Sequence, residues 1–213
     1  MNQDISALRR DYQFQDLLES EIPQDPFTLF DHWLEQAIES CPYDPTAMTL
    51  STVDPQHAPH SRIVLLKQRQ ESGFVFFTNY DSDKGKEIAT NNKACLNFFW
   101  PELSRQVRIE GTLHKVERTA SETYFASRPK DSQIAATASP QSKTIDRETL
   151  HSQMASLTQT LAEQDVPCPK NWGGYELKAN YLEFWQGRPS RLHDRLCFQL
   201  QADTNWHLFR RAP

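Results

Sequence analysis

Trp185, Arg188, Arg191, His193 and Arg195 crowd into FWQGRPSRLHDR, residues 184–195, with Asp194 the lone acid, in a chain of formal net charge −5. Arg191, His193 and Arg195 are spaced by two. In extended chain all three point one way, with Leu192, Asp194 and Leu196 on the other side and Arg188 out of register. Such a face repels itself unless an anion or an electron-rich ring lies against it. Trp185 adds a flat surface on which an aromatic ligand can pack. A solvated edge strand is the plainer alternative, and the clustering with His193 and Trp185 argues against it.

Other stretches carry charge or hydroxyls at useful spacing. In SRIVLLK (61–67), Arg62 and Lys67 bracket an apolar run. Composition alone favours a core strand with cationic ends. On a regular strand the two cations face opposite sides, so they serve different anions or different depths of one cleft. In SRPKDSQIA (127–135), Arg128 and Ser132 follow Tyr124 at four-residue intervals, with Pro129 interrupting. A helix start near Asp131 or Ser132, beside an arginine and a tyrosyl hydroxyl, would receive a phosphate. Ordinary capping beside a surface arginine fits equally well. Gln106 and Arg108 share a strand face opposite Val107 and Ile109, which suits solvent or the edge of a heterocycle. SPQSK (139–143) reads as a polar loop.

Several chemistries are excluded. With six glycines and neither GxGxxG nor GxxxxGK[ST], a phosphorylated cofactor would be held by side chains rather than a glycine cradle. GxSxG and HExxH are absent. His57 and His60 flank a turn without a cysteine or carboxylate cluster at ligand spacing, so no metal is expected. The negative charge argues against nucleic acid as a partner. No apolar run approaches the ~20 residues of a membrane helix, and MNQDISALRRDY lacks a secretory core. Cys41, Cys95, Cys168 and Cys197 are scattered without CxxC and read as free thiols of a reducing cytoplasm.

The elements that must position these groups are mostly strands. The 213 residues are 38% hydrophobic and 24% charged, which suits one domain, 26–213, preceded by a polar arm over 1–25. Phe27, Phe30, Trp33, Leu34, Ala37 and Ile38 mark one helical face after Pro26, with Asp25 as cap. Strands are predicted over 47–53, 60–68, 74–79, 94–100, 105–117, 173–186, 194–200 and 205–210. Short helices are predicted over 81–92, capped by Ser82, and over 119–127, 131–137 and 147–163. The last carries a stripe of Leu150, Met154, Leu157 and Leu161. Helices do not alternate strand by strand, so the expected class is mainly β: a closed or split antiparallel barrel with peripheral helices. So few strands bury too little for a large site alone, which points to a homodimer joined through the apolar wall of FVFF and LNFFW.

Taken together, these stretches resemble the pyridoxamine 5′-phosphate oxidase family, FMN enzymes that make pyridoxal 5′-phosphate. The resemblance rests on RRDY (9–12), DPF (25–27), RIVLLK (62–67), FTN (77–79), RQV (105–107), SRPKDSQIAA (127–136), QS (141–142), WGGY (172–175), FWQG (184–187), RLHDR (191–195) and the terminal AP. It implies a split β-barrel homodimer with two FMN sites at the subunit interface. By motif, Arg62, Ile63, Val64, Leu65, Leu66, Lys67, Phe77, Thr78, Lys84, Gln106, Gln141, Ser142, Trp185 and Arg195 would contact FMN. Lys67, Tyr124, Arg128 and Ser132 would hold the substrate phosphate, and Arg9 to Tyr12 a lid or secondary contact. Arg191 and His193 would lie over the pyridine ring as the catalytic pair, His193 either positioning substrate or accepting a proton. Arg195 would stabilise negative charge on reduced flavin, and dioxygen would take the electrons as hydrogen peroxide. Asp83 stands where the family usually has arginine, which predicts weaker FMN binding unless Lys86 compensates. The alternatives are a non-catalytic flavin- or pyridoxal-phosphate-binding protein, or a split-barrel flavin oxidase with another substrate.

Overall fold

The computed structural model describes residues 16–71 and 73–213. Arg9 and Tyr12 lie outside them. Among the described residues there are five α-helices, α1 (Pro26–Ser40), α2 (Asp83–Thr90), α3 (Arg118–Ser127), α4 (Lys130–Ala138) and α5 (Arg147–Thr160). The strands are β1 (Ala47–Val53), β2 (Pro59–Leu65), β3 (Gln68–Gln70), β4 (Gly73–Asn79), β5 (Lys93–Trp100), β6 (Arg105–Lys115), β7 (Trp172–Gln186), β8 (Asp194–Leu200) and β9 (Trp206–Arg210). The expected class, mainly β with inserted helices, is what is found. Strand order is β2-β1-β5-β6-β7-β4-β3, with β8 on β7 and β9 on β8.

Local chemistry explains the boundaries. The Asp25 carboxylate accepts from Thr28 N at 2.8 Å, with Pro26 in the first turn of α1. Ser82 Oγ accepts from Gly85 N in α2. A Cβ at position 85 would lie 2.1 Å from the Tyr80 carbonyl oxygen, so only glycine lets α2 start this close to the end of β4. Pro129 separates α3 from α4 because its ring cannot continue a helix.

The described residues form two compact units, one of 16–49, 95–110 and 179–213, the other of 50–94 and 111–178. In the first, α1 lays Phe30 against Phe98 at 5.2 Å and Trp33 against Phe184 at 5.2 Å, both edge-on. There β7 pairs with β8 so that Trp185 faces Arg195 and Glu183 faces Cys197. In the second, β4 pairs with the first half of β7, Phe77 opposite Gly174. Phe125, Ile134, Val166 and Trp172 make its helix-side core.

Four expectations are corrected. The strand predicted over 60–68 ends at Leu65, and β3 follows as a separate strand. Lys67 lies between them, its N–H bonded to Val75 O at 2.8 Å, so strand alternation does not relate it to Arg62. The stretch 191–195 is not uniformly extended: Pro189–Arg191 is a 3₁₀ turn and β8 starts at Asp194. Phe74, Val75, Phe76, Leu96, Phe98 and Trp100 are buried core rather than an open wall; Phe99 alone of that set is largely exposed, at 55%. The α5 stripe is only half-buried, with Leu157 and Leu161 packed on the helix-side core.

Candidate active site

In the unit of 50–94 and 111–178, a cavity of about 680 Å³ is lined by eleven of the residues singled out from the sequence: Ile63, Val64, Leu65, Lys67, Phe77, Thr78, Lys84, Tyr124, Arg128, Ser132 and Gln141. Its floor is aromatic. Phe77 stacks on Tyr124 at 3.9 Å and lies nearly parallel to Trp172 at 5.5 Å. One of its cations, Arg128, has an unpartnered donor. Arg128 sits 5.0 Å from the Trp172 ring centroid, and its Nη1 is buried with no hydrogen-bond partner. Burial lowers the pKa of Arg128 below its ordinary value. Lys84 is also pushed down, by burial and then by the Arg62 charge. A buried donor without a partner is rare and costs about 1–3 kcal/mol. Arg128 lines the same cavity as Ser132 and Tyr124, at the start of α4, whose Pro129 offers no side-chain cap. That donor set suits a phosphate dianion.

Three named residues of this unit do not line the cavity. Leu66 is buried core. Ser142 Oγ accepts from Asp83 N at 3.2 Å. Arg62 is held by a buried carboxylate, Glu87, at 2.9 Å and by Thr52 Oγ1. Glu87 also takes His60 Nδ1 at 2.6 Å. Burial works to raise the Glu87 pKa, and the bonds from Thr52, His60 and Arg62 overcome it and hold the group below its usual value. His60 is therefore engaged with an acid through Nδ1.

In the other unit, Gln106, Arg108, Tyr181, Glu183, Trp185, Arg195 and Cys197 project from one face of β6, β7 and β8. Val107 and Ile109 are buried on the opposite face of β6. Glu183 is 3% exposed and accepts from Arg195 Nε at 2.9 Å, Arg108 Nη2 at 2.8 Å and Tyr181 Oη at 2.9 Å. Arg195 is thus paired rather than part of an uncompensated cationic wall. Arg191 follows Ser190 with φ 61° and 56°, a left-handed pair that non-glycine residues seldom adopt and that concentrates at functional sites.

His193 lies 4.7 Å from the Trp185 ring. Its Nδ1 accepts from Arg188 N at 3.0 Å. Burial, then the Arg191 charge, lowers its pKa, so the ring is neutral at pH 7. A neutral imidazole that accepts at Nδ1 carries its proton on Nε2, which assigns the tautomer.

Residues 34–159 match the family model described as pyridoxamine 5′-phosphate oxidase. This chain belongs to the pyridoxamine 5′-phosphate oxidase family. Residues 172–213 match that family's C-terminal dimerisation region, described for pyridoxine 5′-phosphate oxidase. The pyridoxine/pyridoxamine 5′-phosphate oxidase 1 of Hydrogenovibrio crunogenus is 51% identical, over 100% of this chain and 99% of its own. The pyridoxine/pyridoxamine 5′-phosphate oxidase of Microcystis aeruginosa is 48% identical over 100% of both chains. Among solved structures, PhzG from Burkholderia lata 383, in complex with tetrahydrophenazine-1-carboxylic acid, superposes with TM-score 0.87 at 26% identity, covering 96% of this chain and 100% of that one. The split β-barrel class read from the sequence stands. No helix among the described residues is long and apolar enough to cross a membrane, and all four cysteines are free.

Pattern reading missed three residues that shape these clusters. Glu87 and Glu183 hold the arginines, and Trp172 floors the cavity. Glu183 had a signal: it interrupts an otherwise apolar stretch, YLEFW, where an unpaired carboxylate would be costly; Glu87, next to Lys86 in KGKEIAT, had none.

Proposed function

We propose that this protein binds FMN and oxidises pyridoxamine 5′-phosphate and pyridoxine 5′-phosphate to pyridoxal 5′-phosphate. The amine substrate takes up water and dioxygen and yields aldehyde, ammonia and hydrogen peroxide. The alcohol takes up dioxygen and yields aldehyde and hydrogen peroxide. The observation that carries the reading is the buried, unpartnered Nη1 of Arg128 beside Tyr124, Ser132 and Lys67 in one cavity. Family membership across both halves of the chain supports it.

When bound, FMN supplies the two-electron acceptor. The chain's own residues bind and orient. Lys84 and Arg62 serve the FMN phosphate, with Ile63, Val64, Leu65, Leu66, Lys67, Phe77, Thr78, Gln106, Gln141, Ser142, Trp185 and Arg195 around the rest. Lys67, Tyr124, Arg128 and Ser132 take the substrate phosphate, and motif resemblance alone assigns Arg9 and Tyr12 a contact with the substrate. Arg191 and His193 lie over the pyridine ring. The dimerisation-region match supports a homodimer in which such groups meet, and free thiols support a cytoplasmic setting.

With its proton on Nε2, His193 donates a hydrogen bond and does not act as base. His193→Gln, which keeps a donor at that place, should hold kcat/KM within about tenfold of wild type, the scale of one neutral hydrogen bond. A base role would instead make glutamine cost about 10²- to 10⁴-fold. Steady-state peroxide release decides.

The functional reading is tested on purified protein by its visible spectrum with and without added FMN, then by peroxide release from each phosphorylated substrate. Stoichiometric flavin absorption and turnover of both are expected. No flavin uptake, or bound flavin with no peroxide from either substrate, overturns it.

A further inference from the structure

Glu183 is a buried carboxylate between two guanidinium groups, and nothing in the binding scheme uses it. Its partners converge from three strands. Arg195 donates through Nε at 2.9 Å and Nη2 at 3.2 Å, Arg108 through Nη2 at 2.8 Å, and Tyr181 through its hydroxyl at 2.9 Å. The third arm of Arg195, Nη1, donates to Ala212 O at 2.9 Å. Arg108 is also paired with the half-exposed Glu110. Tyr181 hydroxyl bonds Cys197 Sγ at 3.1 Å, and Arg211 lies over the Tyr181 ring at 5.7 Å. The charges bonded to Glu183 are therefore Arg195 and Arg108, with Arg211 over the neighbouring Tyr181 ring and Glu110 as the second acid.

Two consequences follow from this geometry. Bonds from Nε and Nη2 to one carboxylate fix the guanidinium plane of Arg195, since a fork bound on two prongs cannot rotate. The same carboxylate, itself almost fully buried, also offsets the charge of Arg195 at close range.

We infer that Glu183 is a positioning residue: it holds Arg195 in one orientation and sets the net charge that the Arg108–Glu183–Arg195 cluster presents to bound flavin. The inference rests on the proposed placement of Arg195 against FMN. It assigns to β7 a residue that acts through Arg195 on the cofactor's affinity for electrons.

The test is the two-electron midpoint potential of bound FMN in the holoenzyme. Glu183→Gln keeps shape and removes one negative charge, so reduced flavin gains on oxidised flavin. A tenfold change in that ratio, about 30 mV for a two-electron couple, is expected upward. Arg108→Gln removes one positive charge from the same carboxylate and should move the potential downward. A merely structural role loosens the site in both variants and gives no reason for opposite signs. Folded, flavin-loaded variants with unmoved potentials, or with shifts of one sign, overturn the inference. Should Glu183→Gln fail to fold, Arg108→Gln decides alone: a downward shift supports it and any other result overturns it. Wild-type protein that takes up no FMN overturns the parent reading and this one with it; bound FMN with potentials that ignore the variants overturns this one only.

Discussion

Methionine in place of Arg128 should raise the KM for pyridoxamine 5′-phosphate about 10- to 100-fold while leaving the FMN-free protein as stable as before, or more so. The two halves of this expectation have one cause. Arg128 Nη1 is buried and bonded to nothing, and burial lowers the pKa of the group. The free protein thus carries a cost of about 1–3 kcal/mol for that donor. A bound phosphate satisfies that donor with charge-assisted bonds worth about 1.5–3 kcal/mol in all, at a tenfold affinity change per 1.4 kcal/mol. Methionine fills much of the same space against Trp172 and Phe125 with no donor to satisfy. It gives up the guanidinium stacking at 5.0 and 5.7 Å, a loss of about 0.5–1 kcal/mol. The balance is near zero to about 2.5 kcal/mol in favour of the variant, so melting should rise by no more than about 10 °C in a chain of this size. Peroxide-release kinetics and a thermal melt on the same preparation read both numbers. A lower melting temperature with an unchanged KM would make Arg128 a structural residue and remove it from the phosphate site.

Much of this was legible because the determining chemistry is local. Asp25 before Pro26, and Ser82 three residues before Gly85, announce helix starts whose caps are seen at those residues. The four-residue spacing of Tyr124, Arg128 and Ser132 survives the break at Pro129, and all three line one cavity. What could not be read depends on partners far along the chain. Glu183 and Arg108 are 75 positions apart, and Glu87 and Arg62 are 25 apart, so no window of sequence contains either pair. The period-two spacing of Arg191, His193 and Arg195 misled for a different reason. Pro189 holds a tight turn there, and Ser190 and Arg191 take left-handed backbone that ends the alternation. His193 is then oriented by the Arg188 amide rather than by a strand. Asp83, expected to weaken FMN binding, is an acid in the first turn of α2, where it complements the helix dipole, and its amide is tied to Ser142.

Replacing Glu87 with glutamine should lower the melting temperature by about 6–20 °C at pH 7, with the loss shrinking as the solution is acidified. Glu87 is 5% exposed and collects Thr52, His60 and Arg62. Removing one member of a buried ion pair costs about 3–5 kcal/mol, and each kcal/mol is worth about 2–4 °C here. The pH dependence follows from the direction of its shift. Folding holds the Glu87 pKa below its ordinary 4.5 because the three donors outweigh burial. The unfolded chain therefore binds this proton more readily, and the stabilisation is fully present above the ordinary value. It fades as pH falls through the folded value, where wild type also has a neutral carboxyl. Glutamine is neutral throughout, so the two melting curves should converge on the acid side. The same substitution frees Arg62, whose Nη2 bond at 2.9 Å fixes it now, and FMN affinity should drop about tenfold with that lost orientation. A melting gap that stays constant from neutral pH down through the carboxylate range would mean that the charge on Glu87 is not what holds β2 against α2, and its packing alone would have to account for the difference.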